Sequence, residues 1–480
     1  MNRYILAIDA GTTNVQAMVL DESGQVQGTA CGTFLLSYPA PGLVEQDPEG
    51  LWHITLDTIK TALSSSGIDA KDLAGIGITG QRTTIIVWER GSGRSLGPAV
   101  VWQDQRGKRR AKELMKKGFI TLNSLAAASK MEQVLAGLPN GYERVRNNEL
   151  AWGNVDSFLA WRLSGGAIHV TDASNASATG YFDFLKEWKW FDTLLDIQNL
   201  PPSFFPEIIE TVGIMGHTDP DLLGAKIPIG AIIGDQQSAL YAQACLEPGM
   251  AKISYGTSGT CDVNTGNEPK RAVGAYPSVA WTRGGEKTFL LEGMVITAGA
   301  VFNWLTRLGI LDTSSQAAFF GRKRTDAHGV SFLPALQGLG TPHSKHDRFG
   351  AFEGLTLATS KEHIISAAIE GVAFRVREMV DRIYQDSGLP RPDTLRVDGG
   401  AAENDLLMQT QSNVMGCAIE RMEPTEATAY GAALMAGEAC GMWEPYSSAK
   451  LHRVDTTFEP QWSDSEREER FGHWKSVFGL

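Results

Sequence analysis

Short apolar runs that stop at a carboxylate or a glycine turn recur along this chain. Residues 4–8 form the first run, which ends at Asp9; Gly11-Thr12-Thr13 is a turn, and residues 15–20 form a second run. A turn at Glu22-Ser23-Gly24 leads into a third, so the start of the chain predicts three successive strands. Asp47-Pro48-Glu49 then opens a helix, with Leu51, Ile54, Thr58 and Ala62 three or four residues apart. Residues 76–79 and 84–88 read as further strands. Residues 227–233 read as another, ending at Gly234-Asp235, where a helix begins with Gln236-Gln237-Ser238.

Leu246-Glu247-Pro248-Gly249 breaks this pattern, and the segment after it echoes the beginning. Residues 251–255 form a strand and Gly256-Thr257-Ser258-Gly259-Thr260 a Gly-Thr turn. A long helix spans residues 362–385, with a wide apolar stripe that includes Ile365, Ile369, Val372, Val376, Met379 and Ile383. Residues 395–397 form a strand, Asp398-Gly399-Gly400 a tight turn, and a helix starts near Asn404. Strands alternating with helices, with polar chemistry at strand ends, predict the α/β class and a ligand cleft between two domains, residues 1–246 and 247–480.

At 480 residues the chain is too long for one ordinary core, which agrees with two domains. Lys+Arg is 43 and Asp+Glu is 55, a net charge of −12 that argues against nucleic acid or an anionic membrane as the main partner. A local basic site for a small anion stays open. No apolar run is long enough to cross a bilayer, and Asp9 interrupts the only apolar stretch near the start, so no signal peptide is expected. Cys31, Cys245, Cys261, Cys417 and Cys440 are odd in number and lack metal-ligand spacing; they read as scattered core thiols of a reducing compartment. A soluble cytoplasmic protein with a small-molecule ligand is expected.

Four loops offer small residues after a strand or before a helix: residues 9–13, 256–259, Gly299 with Ala300, and 399–404. Phosphate groups need such loops, because only small residues let the backbone N–H groups approach their oxygens. None fits the pattern of Gly, four residues, then Gly-Lys-Ser/Thr, so this is not a P-loop protein. Two carboxylates stand beside the loops. Asp9 reads either as a turn residue or as a holder of Mg²⁺ against phosphates. Asp235 reads either as a helix N-cap or as the acceptor of a proton from an attacking hydroxyl.

At these residues the chain resembles the FGGY carbohydrate kinase family, most closely its glycerol kinase branch, from Tyr4 to about Pro460. The landmarks include Asp9 to Thr13, Gly80-Gln81-Arg82, Val101-Trp102-Gln103-Asp104, Val155-Asp156, His169-Val170-Thr171-Asp172 and Asn175-Ala176-Ser177. Gly234-Asp235-Gln236-Gln237, Tyr255-Gly256-Thr257, Gly350 to Leu355 and Val397-Asp398-Gly399-Gly400 complete them. The resemblance implies a two-domain actin-like ATPase fold with ribonuclease H-like cores and ATP in the cleft between them. It implies ATP and Mg²⁺ as cofactors, with the metal near Asp9 and Asp235. Thr12, Thr13, Asn14, Thr257, Gly299, Asn303, Gly400 and Asn404 would contact the nucleotide. Asp235 would be the general base, and Arg82, Thr83, Trp102, Asp235 and Gln236 would face a small sugar or polyol. A homodimer or homotetramer is a further expectation from the family.

The departures bear on the acceptor. Glycerol kinases carry Glu where this chain has Thr83, Tyr where it has Leu125 and Phe where it has Thr260. Losing a carboxylate that accepts polyol hydroxyls should weaken glycerol selectivity, so a wider pocket for a longer polyol or sugar is expected, with a true glycerol kinase as the alternative. Gln133 stands where the family signature around Lys130 has Trp, and Gln16 where glycerol kinases have Arg. The basic allosteric loop of some glycerol kinases is absent between Gly224 and Ile229. His169 reads as structural, and His343 and His346 as part of a solvated loop or an oligomer or nucleotide contact. Trp152, Trp161 and Trp304 read as core. The alternative of another class is an actin-like ATP-binding protein without transfer; it would need no Asp235 base.

Overall fold

The computed structural model describes residues 3–119, 122–313, 327–345, 347–424 and 426–480. The chain divides into two compact units. Unit 1 is Met1–Ala244 with Ser278–Thr288 and Thr428–Leu451; unit 2 is Cys245–Pro277, Phe289–Ala427 and His452–Leu480. The break expected after residue 246 lies two residues from the first crossing. The second half is not one piece, however, since residues 278–288 and 428–451 belong with unit 1.

Unit 1 is built on β1 (Tyr4–Ala10), β2 (Asn14–Leu20), β3 (Val26–Thr33), β4 (Leu73–Gly80), β5 (Val212–His217) and β6 (Pro228–Gly234). They form one sheet in the order β5-β6-β4-β1-β2-β3. The central strands are apolar almost throughout because both faces are covered. On one face α1 (Pro48–Ser66) and α2 (Val155–Leu163) pack against Leu6, Ile8, Ile76 and Ile78. Asp47 caps α1 by accepting from the N–H of Glu49, and Gly67 closes it in the left-handed conformation. The other face is levelled by glycines. A Cβ on Gly77 would stand 2.2 Å from Ala432 O, and one on Gly230 2.9 Å from Ala436 O. The helix spanning residues 427–439 thus lies directly on the sheet, which is the physical reason these residues belong to unit 1.

Unit 2 repeats the plan. Its strands are β7 (Ala251–Tyr255), β8 (Gly259–Gly266), β9 (Glu286–Val295, within this unit from Phe289), β10 (Thr394–Asp398), β11 (Ala418–Glu423) and β12 (Arg453–Phe458). Neighbours run β9-β8-β7-β10-β11-β12. In both units a first strand pairs antiparallel with the second and parallel with a strand on its other side. The next pair is parallel and the edge pair antiparallel. The echo between Tyr4 to Thr13 and residues 251–257 is therefore one part of a duplicated sheet, as the ribonuclease H-like expectation required. The 27-residue helix Lys361–Ser387 buries Ile365, Ile369, Val372, Val376, Met379 and Ile383 in the core of this unit.

Among the described residues no helix is long and apolar enough to cross a membrane. All five cysteines are free thiols; Cys245 and Cys261 are buried as expected, whereas Cys31 is exposed on β3.

Candidate active site

Three neighbouring parallel strands of unit 1 end together. Ala10 stands opposite Gly80, and Gly80 opposite Gly234. The segments that follow, Gly11 to Thr13, Gln81 to Thr83, and Asp235 with Gln236, are therefore delivered to one edge of the sheet, where α/β proteins bind ligands. Gly80 permits the close approach, since a Cβ there would lie 2.5 Å from Ala10 O, and Gln81 N–H donates to the same oxygen at 2.9 Å.

Asp9 is the penultimate residue of β1. It keeps a little accessible surface, but its Oδ1 is sealed from solvent and has no hydrogen-bond partner. Burial, and secondarily the negative charge of Asp235, push its carboxyl up to about 7. Such a group, short of donors and beside a second carboxylate, suits a hard divalent cation held by oxygen ligands. Asp9 lies on the strand itself and not in the turn that follows it.

Asp235 is the first residue of α3 (Asp235–Ala242), and the cap position belongs to Gly234, so it is not an N-cap. Its Oδ1 accepts from Arg82 Nε at 3.1 Å and from the N–H of Gln236 at 2.8 Å. Gly234 makes room for this pairing, because a Cβ there would meet Arg82 Cδ at 2.8 Å. The side chain of Asp235 is 28% exposed and that of Arg82 14%. Ser174 Oγ accepts the N–H of Gly234 at 2.9 Å and donates to Asp172 at 2.8 Å, so the Asp172 landmark is tied to the segment that carries Asp235.

Thr83 is buried and has φ of 60°. A β-branched residue in the left-handed region is strained, and such strain gathers at functional sites. Its neighbour Thr84 donates to Gln81 Oε1 at 2.9 Å and accepts the N–H of Trp102 at 3.2 Å. Trp102 Nε1 donates to Thr12 Oγ1 at 3.0 Å. Lys130, fully buried, donates to the carbonyls of Trp102 at 2.8 Å and Val101 at 3.2 Å. Burial pushes its ammonium down to about 7. Sequence reasoning finds Lys130 and Gln81 only as parts of motifs and gives no role to Thr84 or Ser174; all four act through bonds between distant segments, which residue spacing does not encode. Thr13 and Asn14 are exposed, and Asn14 Nδ2 reaches Cys31 Sγ at 3.7 Å.

In unit 2 the three remaining loops converge. The N–H groups of Gly299 and Ala300 donate to Gly256 O at 3.0 Å and Thr257 O at 3.1 Å. A Cβ on Gly299 would stand 2.4 Å from Gly256 O, and one on Gly399 2.8 Å from Tyr255 O. Gly299 thus contributes close approach, its N–H being already spent. Thr257, Asn303 and Gly400 are exposed. Asn404 Oδ1 caps the helix Asp405–Met415 through the N–H groups of Leu406 and Leu407, which leaves its amide nitrogen as the group able to meet a ligand.

Elsewhere His169 and the tryptophans are packed as expected, whereas His343 is part-buried and paired rather than solvated. His169 bonds to Trp152 O at 2.8 Å between the rings of Trp88 and Trp161, and burial lowers it to about 4. His343 is tied to Glu378 at 2.7 Å; His346 lies outside the described residues. Trp152 and Trp161 are buried, and Trp304 stacks on Phe332 and Phe352.

Comparison with known proteins agrees over nearly the whole chain. Residues 4–242 match the N-terminal domain, and residues 251–440 the C-terminal domain, of the FGGY family of carbohydrate kinases. A glycerol kinase of Aromatoleum aromaticum is 40% identical over 484 residues, covering 98% of this chain and 97% of its own. One of Deinococcus radiodurans is 40% identical over 493 residues, covering 99% and 97%. The crystal structure of Plasmodium falciparum glycerol kinase with ADP has a TM-score of 0.92 at 28% identity, covering 100% of this chain and 98% of that one.

Proposed function

We propose, from the premise that this chain belongs to the FGGY family of carbohydrate kinases, that Asp235 accepts the proton of a polyol or sugar hydroxyl as that oxygen takes the γ-phosphate of ATP. Membership makes the chain a phosphotransferase acting on a hydroxyl, with the two-domain actin-like kinase fold. The observation that carries the base assignment is the asymmetry of Asp235. Oδ1 is anchored by Arg82 and Gln236, while among the described residues no donor is seen on Oδ2. A carboxylate so held is oriented and still has a lone pair for a proton.

The acceptor oxygen bonds to the γ-phosphorus, the bond from that phosphorus to the β,γ-bridging oxygen breaks, ADP leaves, and the hydroxyl proton passes to Asp235. Little covalent work falls to the protein, so positioning and charge stabilisation carry the catalysis. Thr12 and Thr13 are assigned to the terminal phosphates, and Thr257, Gly400, Asn404 and Asn303 to the nucleotide. Asp9 and Asp235 are the donors fitted to Mg²⁺, which when bound would neutralise charge on the β- and γ-phosphates. Arg82, Thr83, Trp102 and Gln236 are assigned to the acceptor.

The relatives are glycerol kinases, yet Thr83, Leu125 and Thr260 replace the Glu, Tyr and Phe of that branch. Without the carboxylate, selection for a three-carbon polyol weakens, and a longer polyol or a sugar is the better-fitting acceptor. ADP formation from Mg·ATP, scored with glycerol, longer polyols, ketoses, aldoses and sugar acids, tests both parts. Acceptor-dependent ADP release that is lost in Asp235→Asn supports the mechanism. ATP binding without stimulation by any acceptor would instead mark the non-transferring alternative, and strong preference for glycerol would return the chain to the glycerol kinases.

A further inference from the structure

We infer that Trp102, beyond any contact with the acceptor, is a positioning residue for the phosphate loop: its indole sets the hydroxyl of Thr12 as a donor toward the terminal phosphates of the nucleotide. The inference rests on the kinase reading above. An indole N–H only donates, so in the 3.0 Å bond from Trp102 Nε1 the Thr12 oxygen must accept. The hydroxyl hydrogen of Thr12 is then turned away from the indole. No protein acceptor for it is seen among the described residues, and it lies on the turn directly after Asp9. A phosphate oxygen is the chemistry that would take it.

The indole is not placed by chance. The carbonyl of Trp102 accepts from the buried ammonium of Lys130 at 2.8 Å, and its N–H donates to Thr84 Oγ1 at 3.2 Å. Thr84 donates to Gln81 Oε1, and Gln81 N–H donates to Ala10 O at 2.9 Å, beside the phosphate loop itself. Trp102 is therefore held on both sides of its peptide, and one of those ties returns to the end of the strand that leads into Thr12. An acceptor that orders the ring of Trp102 would in the same act order the donor for the phosphate that it is to receive.

The test is a double-mutant cycle read by isothermal titration with Mg²⁺ and the non-hydrolysable analogue AMP-PNP, without any acceptor. Trp102→Phe keeps the ring and removes the donor; Thr12→Val removes the hydroxyl. One neutral hydrogen bond corresponds to about a fivefold change in affinity, so Trp102→Phe should weaken AMP-PNP by about that factor and add little in a Thr12→Val background. Lys130→Met should weaken binding in the wild type and add little to Trp102→Phe. Unchanged AMP-PNP affinity in Trp102→Phe, or losses that simply add, would overturn the inference while leaving the kinase reading intact. A wild-type chain that binds no AMP-PNP would sink that reading and the inference with it.

Discussion

Arg82 holds Asp235 through one hydrogen bond, Nε to Oδ1 at 3.1 Å, on the same carboxylate oxygen that accepts the N–H of Gln236. Both anchors fall on one oxygen, so the carboxylate is aimed without being saturated. Arg82→Lys keeps the charge but loses the planar donor. It should lower acceptor-dependent turnover by about 10²-fold, the order expected when a reacting group is misplaced by an ångström. AMP-PNP affinity should stay within about twofold. Steady-state ADP release set beside titration of the analogue separates the two; equal losses in both would place Arg82 on the nucleotide instead.

The duplicated sheets carry a second relationship. Asp9 pairs in register with Thr79, and Ser254 with Asp398. Each pair joins a hydroxyl and a carboxylate, in opposite order. In unit 2 Ser254 donates to Asp398 and accepts from Lys252 at 2.6 Å, and Lys252 pairs with Asp262 at 2.9 Å in full burial. In unit 1 Asp9 Oδ1 and Thr79 Oγ1 are both without partners. The pair in unit 2 is thus bonded internally, whereas the pair in unit 1 is left without protein partners, in keeping with the proposed cation at Asp9. Asp9→Asn should cut Mg²⁺-dependent turnover by roughly 10²–10³-fold and raise resistance to urea in metal-free buffer by on the order of 1–2 kcal/mol, because a desolvated charge is removed. Chelation of the metal should silence the wild type. Undiminished turnover in Asp9→Asn would remove Asp9 from the metal site.

Local signals made much of this legible. Runs that stop at Asp9, Asp235 and Asp398 with glycines beyond them are written in adjacent residues, and the turn at Gly256 betrayed the duplication. What was hidden depends on distant partners. The helix spanning residues 427–439 lies on unit 1 because Gly77 and Gly230 clear a path for its backbone, and nothing near residue 430 says so. Lys130 reads as a signature residue, but its two carbonyl partners are about thirty positions earlier. Gly299 was legible as a small residue near phosphate; that its N–H is spent on Gly256 O was not.

That spent N–H makes a sharp steric test. Gly299→Ala would place a Cβ 2.4 Å from a backbone oxygen, and Gly399→Ala would add one 2.8 Å from Tyr255 O at a φ of 88°. Neither neighbour is a flexible side chain, so the loops must move. Each variant should lose about 1–3 kcal/mol of stability and weaken AMP-PNP by roughly tenfold or more. Gly472→Ala, in the helix Asp464–Phe478 with open space around its Cβ, should instead gain up to about 1 kcal/mol. Urea titration and calorimetry report both quantities; wild-type affinity in Gly299→Ala would remove that loop from the nucleotide.

Asp156 gives a pH dependence with a definite sign. Burial, opposed by the hydroxyl of Thr171 and aided by the charge of Asp172, pushes its carboxyl from the usual 3.8 up to about 7. Its Oδ2 accepts from Thr171 at 2.7 Å while Oδ1 has no partner. Below pH 3.8 both folded and unfolded chains hold the proton. Between there and about 7 the unfolded chain releases it and the folded chain does not, so this contribution to stability falls as pH rises and levels off above 7. Asp156→Asn keeps the bond from Thr171 and cannot ionise. The variant should gain on the wild type between pH 5 and about 7 and level off above it in urea denaturation, and a constant difference from pH 5 to 8 would contradict the assignment.

Thr83 joins backbone strain to acceptor choice. At φ of 60° and buried, it holds a conformation that a β-branched side chain resists. Glycine there should raise stability by about 1 kcal/mol, since the strain disappears. Glutamate also lacks the β-branch, and it restores the carboxylate found in the glycerol kinases. If Thr83 faces the acceptor, Thr83→Glu should shift the ratio of kcat/KM for glycerol over the best longer polyol or sugar by about tenfold or more toward glycerol, because a buried hydroxyl regains its acceptor. Thr83→Gly should be more stable without that shift. The pair separates the two contributions: a ratio that moves in both variants would trace selectivity to the backbone, and one that moves in neither would take Thr83 out of the acceptor pocket.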